Sequence, residues 1–191
     1  MSDKQQFIDI YRQNIPRQGN VELLNFLENK SDFFTAPAST RFHLACEGGL
    51  VKHSLNVFQL LSQNCGDEQA ESIAICGLLH DICKVNYYKV SLRNVKNEKT
   101  GQWEKQPYYQ VDDSFPYGHG EKSVYMIESF MKLKAPEAMA IRWHMGGFDD
   151  TVKAGNYSIS HAYERFPLAV KLHVADLTAT YLVEAHTSDA P

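Results

Sequence analysis

Residues 73–84 read IAICGLLHDICK, and this stretch decides the fold. It is apolar nearly all round a helix, and such a helix is buried on most of its sides. Burial on that scale needs other helices packed about it. Ile73, Gly77 and His80 share one row by helical period, so His80 points inward. Asp81 follows directly, in the most apolar part of the chain. A carboxylate there is costly unless it is paired or bound to a cation.

The same periodicity extends outward in both directions. Gly48 and Gly49 open a helix from about Leu50 to Gln63, with the row Leu50, His53, Val57, Leu60 facing inward. The helix carrying His80 is expected from about Asp67 to Cys83. Pro167 starts a last strong helix to about Glu184, with Ala169, Leu172, Asp176 and Thr180 on one row. Ser2 caps a first helix to about Asn14. A second spans Val21 to Asn29, and residues 34–40 read as a loop. Helical pattern returns at His119–Leu133 and Pro136–Met145, the latter closed by Gly146-Gly147. A Gly/Asn/Ser loop follows. Between these helices, NYYKVSLRNV and QWEKQPYYQV flank NEKTG, which signals a β-hairpin near residues 86–112. Packing is the favoured role for most of its aromatic residues, Tyr87, Tyr88, Trp103, Tyr108 and Tyr109; stacking on a base is the alternative. The expected fold is all-α, six to eight helices with a small hairpin insertion. It forms one domain over 1–191, with its core at about 42–184 and N-terminal helices 3–30 packed on it.

Composition narrows the function. The 191 residues carry a formal net charge of −4, which argues against a protein that coats a nucleic-acid backbone. The four cysteines, Cys46, Cys65, Cys76 and Cys83, form no C-x-x-C pair and read as buried thiols. The N-terminal stretch lacks an apolar signal core, and no apolar run nears the ~20 residues of a membrane span. A cytoplasmic location and no membrane partner are expected. Only the tail after Glu184 looks disordered by composition.

A lone histidine on an apolar face is usually a core residue, but here several inward groups occur together. His53, His80, Asp81 and Asp176 lie on three buried helices, and two acids with two imidazoles suit one metal centre. The competing reading makes Asp81 and Asp176 buried salt-bridge partners of Lys84, Arg142 or the histidines.

The order His53, His80-Asp81, Asp176 resembles the HD superfamily of metal-dependent phosphohydrolases. GGLVKHSLNV resembles the segment around the first ligand, LLHDICK the central helix with Lys84 in its usual place, and LHVADLTATYL the last ligand helix. The resemblance runs from about Phe42 to Leu182. It implies an HD helical bundle with His53, His80, Asp81 and Asp176 as metal ligands. His119 in GHGEKS and His144 in IRWHMGG fall between the doublet and Asp176, as in branches with two metals. There they would hold a second ion, with Asp81 bridging; otherwise they are substrate donors in a one-metal site. One or two divalent transition-metal ions (Mn, Fe, Ni, Co or Zn) are implied.

The implied reaction is hydrolysis of a phosphoester or phosphoanhydride in a nucleotide-like small molecule. Asp81 and Lys84 carry the catalytic roles, and Lys84 also binds phosphate. His43 either reaches a substrate phosphate or only stabilises its loop. Arg142 is a weak phosphate-binding candidate, Arg93 and Lys89 on the hairpin are others, and Asp112 and Asp113 either meet a sugar hydroxyl or cap the turn. His161, His173 and His186 read as structural or exposed. Three alternatives stand beside this reading. The first is a 3′-to-5′ nuclease or phosphodiesterase acting on nucleic-acid ends. The others are an HD-type di-iron oxygenase and a metal-stabilised binding module without turnover. Oligomeric state is not legible in the sequence.

Overall fold

The computed structural model describes residues 1–66 and 68–184. These form nine α-helices and one two-stranded hairpin. Helix α1 (Asp3–Asn14) is capped by Ser2, whose Oγ accepts from the Gln5 backbone N–H at 3.3 Å. Its Phe7, Ile8 and Tyr11 are buried, as are Leu23, Leu24 and Leu27 of α2 (Asn20–Asn29). These side chains join one hydrophobic core with Leu50, Val57, Ile75, Leu78, Ile141 and Leu172, so the N-terminal helices pack on the body.

Helices α3 (Gly49–Asn64) and α4 (Ala70–Leu79) pack closely against each other. The approach depends on Gly77, because a Cβ there would lie 2.6 Å from Phe58 Cα. Helix α4 is shorter than its periodicity suggests, and Asp67, the expected start, lies outside the described residues. The helix ends at Leu79. Asp81 then leaves helical geometry at φ −103°, ψ 18°, and Ile82–Lys84 form a 3₁₀ turn. Apolar periodicity runs straight through this point, which is why the sequence does not reveal the stop.

Strands β1 (Tyr88–Lys96) and β2 (Trp103–Val111) pair antiparallel, from Tyr88 opposite Val111 to Lys96 opposite Trp103. The hairpin stands off the body. Tyr88 is half-buried and its hydroxyl donates to the Ala38 carbonyl at 3.4 Å, but Trp103 is 70% exposed. Packing therefore describes Tyr88 and not Trp103.

Helix α5 (His119–Glu128) packs on α6 (Ala135–Trp143) with the same device, since a Cβ on Gly120 would collide with the Arg142 backbone. Helix α5 ends five residues short of the expected Leu133. The stretch expected to be a loop holds a 3₁₀ turn at Gly146–Phe148 and two short helices, α7 (Asp150–Lys153) and α8 (Ser158–Arg165). Asp149 caps α7 by accepting from the backbone N–H groups of Thr151 and Val152. Helix α9 (Pro167–Thr178) continues as a π-helical segment, Ala179–Val183. Among the described residues no helix is long and apolar enough to cross a membrane.

A buried ionic knot joins the α1–α2 link to α4 and α6. Arg17 donates to Glu137 at 2.6 and 2.9 Å, to Glu71 at 2.7 and 3.2 Å, and to the Lys132 carbonyl at 2.9 Å. Glu137 is 0% exposed. The guanidinium holds the Glu71 carboxyl below its ordinary pKa of 4.5, and holds Glu137 down against the opposing effect of burial. Their stabilisation is therefore present above the ordinary value and lost as pH falls through the lowered ones. Arg17→Met, which strands a buried carboxylate, should cost about 3–5 kcal/mol in urea unfolding. It should also move acid unfolding to higher pH.

Candidate metal centre

The side chains of His53, His80, Asp81, His119, His144 and Asp176 meet in the interior. His53 comes from the second turn of α3 and Asp176 from α9. His80 and Asp81 immediately follow the end of α4, His119 opens α5, and His144 follows α6. His53 Nε2 lies 3.2 Å from His80 Nε2 and 3.2 Å from Asp176 Oδ1. Asp81, 2% exposed, stands between two pairs of imidazoles. Its Oδ2 lies 3.5 Å from His53 Nε2 and 3.7 Å from His80 Nε2. Its Oδ1 lies 2.8 Å from His119 Nε2 and 3.5 Å from His144 Nε2.

The ring orientations follow from what holds the far nitrogens. His80 Nδ1 meets the Gly77 carbonyl at 3.1 Å, and His144 Nδ1 meets the Ile141 carbonyl at 2.6 Å. A carbonyl only accepts, so both rings carry the proton on Nδ1 and turn an Nε2 lone pair to the centre. His53 Nδ1 is held by both Glu184 oxygens at 3.1 Å, and Asn56 donates to Glu184 at 2.9 Å. The sequence reading did not single out Glu184. The spacing Asp176, Thr180, Glu184 was the available signal, because steps of four place an acid on the row of the last ligand.

The electrostatics suit a cation. Burial raises the Asp81 pKa, but Lys84 and the surrounding histidines hold it well below the ordinary value. Asp176 is likewise held low against burial, chiefly by His53. Burial pushes His80 down to about 3. Burial opposes charge on His53 too, yet Asp176 and Glu184 carry it up to about 10. His119 also reaches about 10 against burial, through Cys83 and Asp81. Protons on His53 and His119 thus compete with any cation for those rings.

The donor set fits a divalent transition ion. Ligand atoms of His53, His80 and Asp176 lie within 4.8 Å of one another, as do those of His80, Asp81 and His144. The Nε2 of His144 is buried and has no hydrogen-bond partner. An orphaned buried polar atom costs about 1–3 kcal/mol, and a bound cation would supply its partner.

The cluster opens into a cavity of about 610 Å³, lined by His43, Lys84, Lys153, Phe42, Phe148 and Tyr181 among others. Lys84 Nζ pairs with Asp81 Oδ2 at 2.6 Å and its pKa is raised, with Asp81 outweighing burial. The salt bridge weighed as an alternative to a metal role is therefore present beside the ligand cluster. His43, over the mouth of the cluster, is pushed down to about 4 by burial and by the nearby His53 and Lys84.

Other candidates lie elsewhere. Arg142 is spent on ion pairs with Glu121 and with Asp149 at 2.8 Å, and is not among the cavity-lining residues. Arg93 is exposed on β1, its guanidinium 5.7 Å from the Tyr108 ring, and also lies off the cavity. Lys89 pairs with Asp112 at 3.2 Å. Asp113 accepts from the Phe115 backbone and from Lys122 at 2.6 Å, which favours its turn-capping role. His161 is exposed, whereas His173 lines the cavity and donates from Nδ1 to the His144 carbonyl at 2.6 Å. His186 lies outside the described residues. Cys46 is exposed rather than buried; Cys76 and Cys83 are buried.

The model of the HD domain family matches residues 50–181, well over half of the chain. Neither a curated protein nor a solved structure matches it.

Two outcomes follow from this geometry. Zinc loading near neutral pH should release protons into weakly buffered solution, and affinity should rise with pH until His53 and His119 lose theirs at about 10. Loading without proton release would contradict the charge assignment. Glu184→Gln, which removes the carboxylate orienting His53, should weaken zinc binding by about 10–100-fold in chelator competition.

Proposed function

The chain belongs to the HD domain family, within the superfamily of metal-dependent phosphohydrolases, and on that premise we propose that it hydrolyses a phosphoester or phosphoanhydride bond in a nucleotide-like small molecule. The observation that carries this reading is Lys84. Its ammonium lies 2.6 Å from the central carboxylate and also lines the cavity, where a phosphoryl group bound at the cluster would meet it.

His53, His80, Asp81 and Asp176, together with His119 and His144, would hold one or two divalent cations, which would supply Lewis acidity toward a phosphoryl oxygen and acidify water. The protein's own groups do the remainder. Lys84 binds a non-bridging phosphoryl oxygen and offsets charge as the bond breaks. Asp81 keeps Lys84 charged and aimed. His43, neutral at physiological pH, donates a hydrogen bond to a second phosphoryl oxygen. Lys153, exposed at the rim, attracts anionic substrate. Phe42, Phe148 and Tyr181 give the mouth ring surfaces for a flat, apolar moiety such as a base. The formal charge of −4 accords with a small substrate better than with a polyanionic chain.

Manganese- or cobalt-loaded protein should release phosphate or a phosphorylated product from one or more members of a nucleotide panel. Degradation of labelled oligonucleotides with no nucleotide turnover would overturn the small-substrate reading. His80→Ala and Asp81→Ala should each remove metal and activity together, and unchanged metal content in both would count against the site. His119→Ala should halve the metal content. Lys84→Met should keep its metal and lose on the order of 10²–10³ in kcat/KM.

A further inference from the structure

We propose that Cys83 is a thiolate ligand of the second cation position, beside Asp81, His119 and His144. The proposal rests on the binuclear reading of the cluster and adds to it a donor of different chemistry.

Cys83 sits in the 3₁₀ turn that follows the His80-Asp81 doublet. Its backbone N–H donates to Ser123 Oγ at 3.2 Å, which ties the turn to the helix that carries His119. Its Sγ lies 3.4 Å from His119 Nδ1 and 3.8 Å from His119 Nε2. That Nε2 is the nitrogen 2.8 Å from Asp81 Oδ1. Ligand atoms of Asp81, Cys83 and His119 all lie within 4.8 Å of one another. Donors that share one ion at about 2.0–2.3 Å stand roughly 3–4 Å apart, and the 3.8 Å from Sγ to His119 Nε2 falls in that range, with Nε2 itself 2.8 Å from Asp81 Oδ1.

His144 adds a further donor facing the same Asp81 oxygen, and its ligand atom groups with those of His80 and Asp81. His144 is wholly buried, its Nε2 has no hydrogen-bond partner, and it stands 3.5 Å from the same Asp81 oxygen. One carboxylate oxygen thus lies near two imidazoles, one beside a sulfur and one without a hydrogen-bond partner. A buried cysteine is more often a small hydrophobe, and Cys76 is that case, enclosed in α4 with its thiol pushed up by burial. Cys83 instead faces a second cavity of about 440 Å³, which His119 also lines.

The two cation positions then differ in softness. His53, His80 and Asp176 offer only nitrogen and oxygen to the first. A thiolate at the second favours zinc, iron or cobalt over magnesium or manganese. On binding, the thiol proton leaves to solvent and the sulfur takes the place in the coordination shell.

Cobalt(II) titration of the whole chain, followed by absorption and metal analysis, tests this. A thiolate-to-cobalt charge-transfer band in the near ultraviolet should grow with the second equivalent. Cys83→Ala and Cys83→Ser should abolish it and weaken the second equivalent by at least about tenfold, leaving the first in place. Two equivalents of cobalt bound by wild-type protein with no such band would overturn the proposal and leave the binuclear reading standing, whatever the folding of the variants. A band that persists in Cys83→Ala would assign it to another thiol and overturn the proposal equally. Uptake of one equivalent or none would defeat the binuclear reading itself.

Discussion

The structure turns on the burial of one carboxylate. Asp81 is almost wholly removed from water, and an isolated ion there would be many kcal/mol too costly to keep. Every neighbour within reach answers that cost. Lys84 returns from the next turn to pair with Oδ2, and four imidazoles divide between the two oxygens. The arrangement is expensive as a stability device, because an apolar core would serve better. It is economical as a cation site, where one carboxylate oxygen can serve each of two ions.

The backbone sets this up with ordinary means. Two helix pairs come close, α3 with α4 and α5 with α6, and each approach passes over a glycine, Gly77 or Gly120. The helix that presents His80 ends one residue earlier, so Asp81 turns out of register and reaches the centre. Backbone carbonyls in the last turns of α4 and α6 fix the imidazoles of His80 and His144. Glu184, buried at the end of the last helical segment, does the same for His53. Helix-end carbonyls and one buried carboxylate form the outer support of the site.

Much of this was legible in the chain. The rows through His53, His80 and Asp176 follow from a period of 3.6, and the hairpin from alternating aromatic strands around NEKTG. What was not legible depends on tertiary partners. The end of α4 is invisible because the apolar pattern continues through Ile82 and Cys83. Helices α7 and α8 escape a pattern reading, since one is a four-residue turn held by its cap and the other buries little beyond Ala162. Arg142 looked available for substrate because its acidic partners, Glu121 and Asp149, come from other segments. Glu184 carried a spacing signal, but only contact with His53 gives that spacing a meaning. Cys83 read as a buried thiol because nothing in sequence places it beside His119.

The central claim is that cations sit on either side of the Asp81 carboxylate. Anomalous diffraction at the zinc edge from crystals of zinc-loaded protein measures this directly. The account predicts two peaks about 3.5–4 Å apart, one toward His53, His80 and Asp176 and the other toward His119 and His144. Peaks confined to the protein surface, with none in reach of Asp81, would contradict it.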